Sequence, residues 1–244
     1  MGCYVQSIII SSILYGVSVG PGDPGLLTVN AVETIRSCST ICYPVRKAGE
    51  KSTALEIVRG AVSLDGKDIE ELVFSMDPDD SVRRASEKVA LDRLCGILDS
   101  GKDVAMVVLG DIGVYSTYMY IDEDVRQRGY ETRIIAGIPS FVYGASKAGI
   151  PLMLGNESFC VIPMAKDSSD RLDEALKTMD NIVVMKAFKS MEKIADLMES
   201  NGVPLEKATV ISNLGMEGEY IGPIVRGRDY DYFTTVIIKR CSRI

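Results

Sequence analysis

The sequence predicts an α/β protein of two domains, the first on a mostly parallel sheet and the second on a mixed one. Three observations lead there. Apolar, strand-like runs alternate with stretches of helical periodicity along nearly the whole chain, the order of repeated βαβ units. One run, Val104–Leu109 (VAMVVL), is apolar at every position, as a central parallel strand covered on both faces must be. After the Gly- and Pro-containing segment Ala136–Pro139 the chain becomes richer in strands, with antiparallel pairing expected at its end. The 244 residues suit two domains of ordinary size. The boundary is drawn as 1–135 and 136–244.

Each element has a local reason. Ile13–Val19 reads as a buried strand because its apolar run ends in a glycine-rich segment, and residues 1–10 read as a short extension ahead of it. The apolar stretch 5–19 has no basic leader and is shorter than the ~20 residues of a membrane span. Leu26–Cys38 has apolar residues at helical spacing. Thr40–Tyr43 is a short strand stopped by Pro44. Thr53–Leu64 is helical, and Glu71–Phe74 is a short strand before Asp77-Pro78. Ser81–Leu98 is a long amphipathic helix with Asp80 or Ser81 as its N-cap and a stripe of Val82, Ala85, Val89, Leu94 and Ile97. After Val104–Leu109 come a helix over Tyr115–Arg128, stopped at Gly129, and a strand over Thr132–Ile135. The second half reads as helices Phe141–Ala148, Asp170–Met179 and Met191–Ser200 among strands Phe159–Ile162, Ile182–Met185, Thr209–Asn213 and Tyr232–Lys239.

The composition excludes whole classes of chemistry. The chain has no histidine, so neither a Ser-His-Asp nor a Cys-His pair can form, and no imidazole can hold a metal. Any enzymatic step must need little proton transfer, or take it from carboxylates, Tyr, Lys, Cys or water. The net charge of −7 argues against nucleic acid, which wants a basic face. No transmembrane segment is expected. Of six cysteines only Cys38 and Cys42 are close in sequence, and all six read as small apolar residues of a reducing, cytoplasmic environment.

Three segments can carry chemistry, each between a strand and a helix. In Gly16–Leu27 (GVSVGPGDPGLL) the glycines fall at 16, 20, 22 and 25, which is not the G-x-G-x-x-G of a dinucleotide fold, and no G-K-[ST] follows. This is a Gly-Pro turn at a strand's carboxyl end, where ligands sit in open parallel sheets. The plainer reading is a tight turn with Asp23 capping the helix Leu26–Cys38. The second segment, Leu109–Thr117 (LGDIGVYST), occupies the same kind of position and would face the same crevice. The third runs from Ala136-Gly137-Ile138-Pro139-Ser140-Phe141 to Leu152, with small residues that allow close backbone approach.

Together these segments resemble the tetrapyrrole (uroporphyrinogen/precorrin) methyltransferase family. The first family signature matches Gly20-Pro21-Gly22-Asp23-Pro24 and Leu26-Leu27-Thr28. The second, G-D-P, reads Gly110-Asp111-Ile112, with isoleucine for proline. The third, P-G-I-x-S, reads Ala136-Gly137-Ile138-Pro139-Ser140, with the proline displaced. Val183-Val184-Met185-Lys186 and Asn213-Leu214-Gly215 match the later strand end and turn. Within the family, Tyr115-Ser116-Thr117, Cys42-Tyr43-Pro44 and Asp231-Tyr232-Phe233-Thr234-Thr235 are similar to the C20-methylating branch.

The resemblance implies two α/β domains of the tetrapyrrole methylase type with the active-site cleft between them. It implies S-adenosylmethionine as methyl donor, precorrin-2 or cobalt-factor II as the tetrapyrrole substrate in cobalamin biosynthesis, and a homodimer. By position in the family pattern the donor pocket would include Pro21, Gly110, Asp111, Val114, Thr117, Pro139, Ser140, Met185 and Gly215, largely through backbone. A polycarboxylate macrocycle needs local positive charge, for which Arg46, Lys47, Arg83, Arg84, Lys147, Lys166 and Lys186 are candidates. Asp23 is the first candidate to take the C20 proton. The alternatives are another ring-methylating member of the family, a nucleotide-dependent oxidoreductase, and a non-catalytic tetrapyrrole carrier.

Overall fold

The computed structural model describes residues 12–164 and 168–240; the extension 1–10 and Lys166 lie outside them. The chain divides into two compact units between Ile138 and Pro139. The division falls three residues beyond 135/136 for a physical reason. Ala136 and Gly137 are bonded into the first unit, Ala136 O accepting Thr28 Oγ1 at 3.3 Å and Gly137 N–H donating to Asp111 Oδ2 at 2.8 Å.

The first unit holds β1 (Ile13–Ser18), α1 (Val29–Ser37), β2 (Thr40–Val45), α2 (Thr53–Ala61), β3 (Asp68–Val73), α3 (Asp80–Asp99), β4 (Val104–Val108), α4 (Tyr118–Gln127) and β5 (Glu131–Ile135). Its sheet runs β3-β2-β4-β1-β5, and every neighbouring pair is parallel. Alternation along the strands separates two cores. Val17, Ala105 and Val107 pack with Ala31 and Ile35 of α1 and with Leu55 and Val58 of α2. Leu14, Val104 and Met106 pack with Leu91 and Leu94 of α3 and with Tyr118 and Ile121 of α4. Each fully buried Leu or Ile here contributes ~1.5–3 kcal/mol. Gly16 of β1 has no side chain because the buried Tyr118 ring occupies that place; a Cβ there would lie 2.2 Å from Tyr118 Cζ.

Several local expectations are corrected. The helix expected over Leu26–Cys38 is a 3-10 turn, Pro24–Leu26, followed by α1, which Thr28 caps through Ala31 N–H; Asp23 caps only the short turn. Pro44 does not end β2, since β2 has already parted from β4 after Cys42 and no ladder bond to β4 is lost. In α3 the N-cap is Asp79, and the buried face is Ala90, Leu91, Leu94, Cys95 and Leu98, whereas Val82 and Val89 are exposed. α4 starts at Tyr118 because Tyr115, at φ +51, is outside helical geometry.

The second unit holds α5 (Ser140–Ala148), β6 (Phe159–Pro163), α6 (Ser169–Thr178), β7 (Asn181–Met185), α7 (Met191–Ser200), β8 (Ala208–Ser212), β9 (Tyr220–Gly222) and β10 (Thr234–Lys239). The order is β6-β7-β10-β8-β9; β6 and β7 are parallel and the other pairs antiparallel. Ile182, Val184, Val210, Val236 and Ile238 form one core with α6 and α7. On the opposite face Gly144 of α5 sits against Ile211, whose Cδ1 would be 2.6 Å from an added Cβ. β9, three residues long, was not expected from sequence, and β10 begins two residues later than the strand read from Tyr232.

Candidate active site

The strand order of the first unit creates a switch point. From β1 the chain crosses over β4 to reach β2, and from β4 it crosses over β1 to reach β5. The helices that follow, α1 and α4, therefore cover opposite faces, as the two separate cores require. The carboxyl ends of β1 and β4 lie between these departures, the place where open α/β sheets bind ligands.

The first two glycine segments meet there. Gly20 N–H donates to Gly110 O at 3.1 Å, and Gly110 N–H donates to Gly20 O at 2.8 Å. Both residues have φ +74, which L side chains rarely adopt. The third segment is tied in by Asp111, whose Oδ1 accepts Gly113 N–H and whose Oδ2 accepts Gly137 N–H, each at 2.8 Å. Asp111 is thus the buckle that holds loops after β4 and β5 together. Gly137 is required by contact: a Cβ would lie 2.5 Å from Ser18 Cβ and 2.9 Å from Gly110 O.

Ile112, where the family signature has proline, has a clear role. Its side chain is fully buried among the α3 and α4 core residues, and its N–H donates to Ser18 Oγ at 3.0 Å. Proline could not donate that bond. Sequence reasoning missed Ser18, the last residue of β1, which the structure buries fully; a lone serine in an apolar run just ahead of a glycine loop was its only sequence signal.

The remaining donor-pocket candidates divide between the units. Pro21 is buried in the first loop, and Val114 and Thr117 lie on the second, Val114 N–H donating to Asp111 O at 3.1 Å. In the second unit Pro139 is the N-cap of α5 and Ser140 its first residue. Met185 ends β7, its carbonyl accepting Met164 N–H at 2.7 Å. Gly215 follows β8, and its N–H donates to Glu219 Oε2 at 2.6 Å. The ends of β7 and β8 point the same way, flanking the start of β10, where Thr235 pairs with Met185 and Thr234 with Ser212.

The profile of the tetrapyrrole (corrin/porphyrin) methylases matches residues 13–226, which contain all of these loops. The chain belongs to this family. It is 34% identical over 232 residues, 94% of this chain and 97% of the relative, to a protein of Methanocaldococcus jannaschii named a probable cobalt-precorrin-2 C(20)-methyltransferase. It is 27% identical to the cobalt-precorrin-2 C(20)-methyltransferase of Salmonella typhimurium, over 93% of this chain and 96% of the relative. The fold resembles that of a cobalt precorrin-4 methyltransferase, at a TM-score of 0.69 and 17% identity over 93% of this chain and 94% of the other. It also resembles uroporphyrin-III-C-methyltransferase from Thermus thermophilus, at 0.65 and 15% over 94% and 92%.

Two features leave the main chain of the second loop accessible and fixed. A Cβ at Gly110 would meet nothing within 4 Å, so the loop has open space beside a bare backbone. The loop itself is fixed by the paired glycines and by Asp111, so little ordering is left to binding.

The candidate cations are mostly matched locally. Arg46 pairs with Glu50, Arg83 and Arg84 with Asp80, and Lys147 with Glu219 at 2.6 Å. Such exposed pairs are worth only ~0–1 kcal/mol, but they spread the charge. Lys47 and Lys186 are exposed, Lys186 at φ +56 directly after β7. Asp23 Oδ1 accepts Gly25 N–H at 2.8 Å. Cys38 and Cys42 are buried free thiols, pushed up by desolvation to about 11 and about 12.

Proposed function

We propose that the chain is an S-adenosylmethionine-dependent C-methyltransferase acting on C20 of precorrin-2 or of its cobalt-loaded counterpart in cobalamin biosynthesis. The observation that carries this reading is the reciprocal Gly20–Gly110 bridge at the switch point, in a chain whose curated relatives of nearly equal length carry that activity in their names. When bound, the sulfonium donor supplies the methyl: the C20–CH3 bond forms as the S–CH3 bond breaks, the sulfur keeps the electron pair, and C20 loses a proton.

The residues have tasks that need no histidine. Pro21, Gly110, Asp111, Val114 and Thr117, with Pro139, Ser140, Met185 and Gly215, would hold the donor, and alignment supplies much of the rate. Asp111 keeps the loops from relaxing away from the ligand, and the buried Pro21 and Gly22 limit water near the first loop. Asp23 is the first candidate to take the C20 proton. The absence of imidazole fits a reaction in which donor and acceptor carbon are both reactive before binding. The homodimer and the cytoplasmic location rest on the family resemblance, and sedimentation of the purified chain tests the former.

The deciding experiment is methyl transfer from labelled donor to precorrin-2 and to cobalt-precorrin-2, with product mapping by NMR. One methyl at C20 of either substrate is expected. Donor binding without transfer to either would overturn the C20 assignment.

A further inference from the structure

Two neighbouring aromatic side chains of the second unit are exposed and adjoin Phe188, which is half-buried against the core of that unit. Tyr232 and Phe233 are 49% and 40% exposed. Phe188 joins them, its ring 5.3 Å from Tyr232 at 64°, and the rings of Tyr232 and Phe233 lie 5.3 Å apart at 79°. Single exposed apolar residues are ordinary, but three contiguous aromatic rings form a patch of the kind that marks a binding surface.

The backbone beneath the patch is pinned. Phe233 O accepts Asn213 N–H at 3.1 Å, and Asp231 O accepts Thr234 Oγ1 at 2.5 Å. The Asp231 carboxylate also accepts the Asn213 amide. From the other side, Ala187 N–H donates to Thr234 O at 3.1 Å. The backbone that carries Tyr232 and Phe233 is therefore ordered in advance, which lowers the entropy lost on binding. They stand at the sheet end that carries Met185 and Asn213-Leu214-Gly215. Positive charge flanks them: Lys189 Nζ lies 5.4 Å from the Phe188 ring centroid, and the exposed Lys186 follows Met185.

We propose that Phe188, Tyr232 and Phe233 form an aromatic shelf for the polycarboxylate macrocycle, one ring meeting it face-on and the steeply inclined neighbours meeting it edge-on, with Lys186 and Lys189 meeting carboxylates on its rim. A planar conjugated ring with an anionic edge calls for aromatic area inside and cations outside, and this is that arrangement. The assignment rests on the proposed function and deepens it by naming residues that select the acceptor rather than the donor.

The test uses the full chain and uroporphyrin, a flat polycarboxylate macrocycle read by its own fluorescence. The double variant Tyr232→Ala/Phe233→Ala is expected to weaken uroporphyrin binding by about tenfold or more, since two aromatic contact surfaces are removed. It should raise KM for the tetrapyrrole while leaving kcat and S-adenosylmethionine affinity near wild type. Tyr232→Phe, which keeps the ring, retains binding and guards against a folding artefact, and Lys189→Gln flattens the salt dependence. Unchanged uroporphyrin affinity in the double variant overturns the proposal. So does an equal loss of donor affinity, or an altered sedimentation coefficient with unchanged affinity, which would assign the patch to a second copy. If the wild type methylates neither precorrin-2 nor cobalt-precorrin-2 yet uroporphyrin binding still depends on the shelf, the C20 reading fails and the shelf stands.

Discussion

Gly137 lies against Ser18 so closely that a Cβ at Gly137 would be 2.5 Å from the serine Cβ. The contact joins the exit of β5 to the end of β1, and Gly137→Ala must push them apart. Overpacking of this kind costs ~1–3 kcal/mol. The expected outcome is a lower denaturation midpoint together with donor affinity reduced by about tenfold, as Asp111 loses its grip on the 137 amide. Urea melts and calorimetric titration with S-adenosylmethionine measure both.

Ser18 and Ile112 should be energetically coupled. Ser18→Ala leaves the buried Ile112 N–H without its partner, at ~1–3 kcal/mol. Ile112→Pro removes that donor and a buried side chain, at ~2–4 kcal/mol. In the double variant the two costs should sum to more than is observed, because the same hydrogen bond is lost only once. Strict additivity in urea melts of the four proteins would contradict the bond.

Asp23→Asn separates capping from proton transfer. The amide oxygen can still accept Gly25 N–H, so the melting temperature should hold. If Asp23 takes the C20 proton, kcat falls about 100-fold with KM little changed, in line with general-base contributions. Steady-state methyl transfer with unchanged kcat would reduce Asp23 to a cap.

Glu219 makes the turn after β8 sensitive to acid. Hydrogen bonds from Lys147 and then from Gly215 N–H hold its carboxyl below its ordinary 4.5. A lowered folded pKa means the stabilisation is complete above the unfolded value and is lost as pH falls through the folded one. Thermal melts between pH 7 and 3 should show wild type losing its advantage over Glu219→Gln below about pH 4.5. Parallel curves for the two proteins would argue against the pairing.

Cys38 and Cys42 should be inert in the native protein. Burial pushes their thiols to about 11 and about 12, so the reactive thiolate is scarce near neutral pH. Peptide-resolved alkylation at pH 7.5 should label both only after denaturation. Rapid native labelling of Cys42 would refute its placement in the core.

Much of this was legible in the sequence. Glycines at strand ends located the loops after β1 and β4, and the unbroken VAMVVL run located the central strand. The helix faces were less secure. Leu94 was placed correctly on the buried face, but Val82 and Val89 fit the same stripe by spacing and are exposed, because Ala90, Leu91, Cys95 and Leu98 are the residues that α3 buries with it. Ser18 was hidden because a serine among apolar strand residues carries no periodic signal, and its partner is 94 positions away. Neither the Arg46–Glu50 pair, which closes a non-helical turn after β2, nor Lys147–Glu219, which depends on how α5 meets the turn after β8, was read from the sequence. Asp111 reads from sequence as a ligand contact, and its bonds to Gly113 and Gly137 show it to be a structural tie.

The position of β1 also bears on how the chain acquires its structure during synthesis. β1 is flanked by β4 and β5, so this strand cannot be enclosed until residues beyond 130 have emerged from the ribosome. Such long-range closure is slow, and it leaves the edges of Ile13–Ser18 unpaired in the nascent chain. The second unit is contiguous in sequence and, among the described residues, contributes no strand to the first sheet. The first unit can therefore complete its sheet while the second is still being translated, and the nascent chain is most prone to aggregate before β5 emerges.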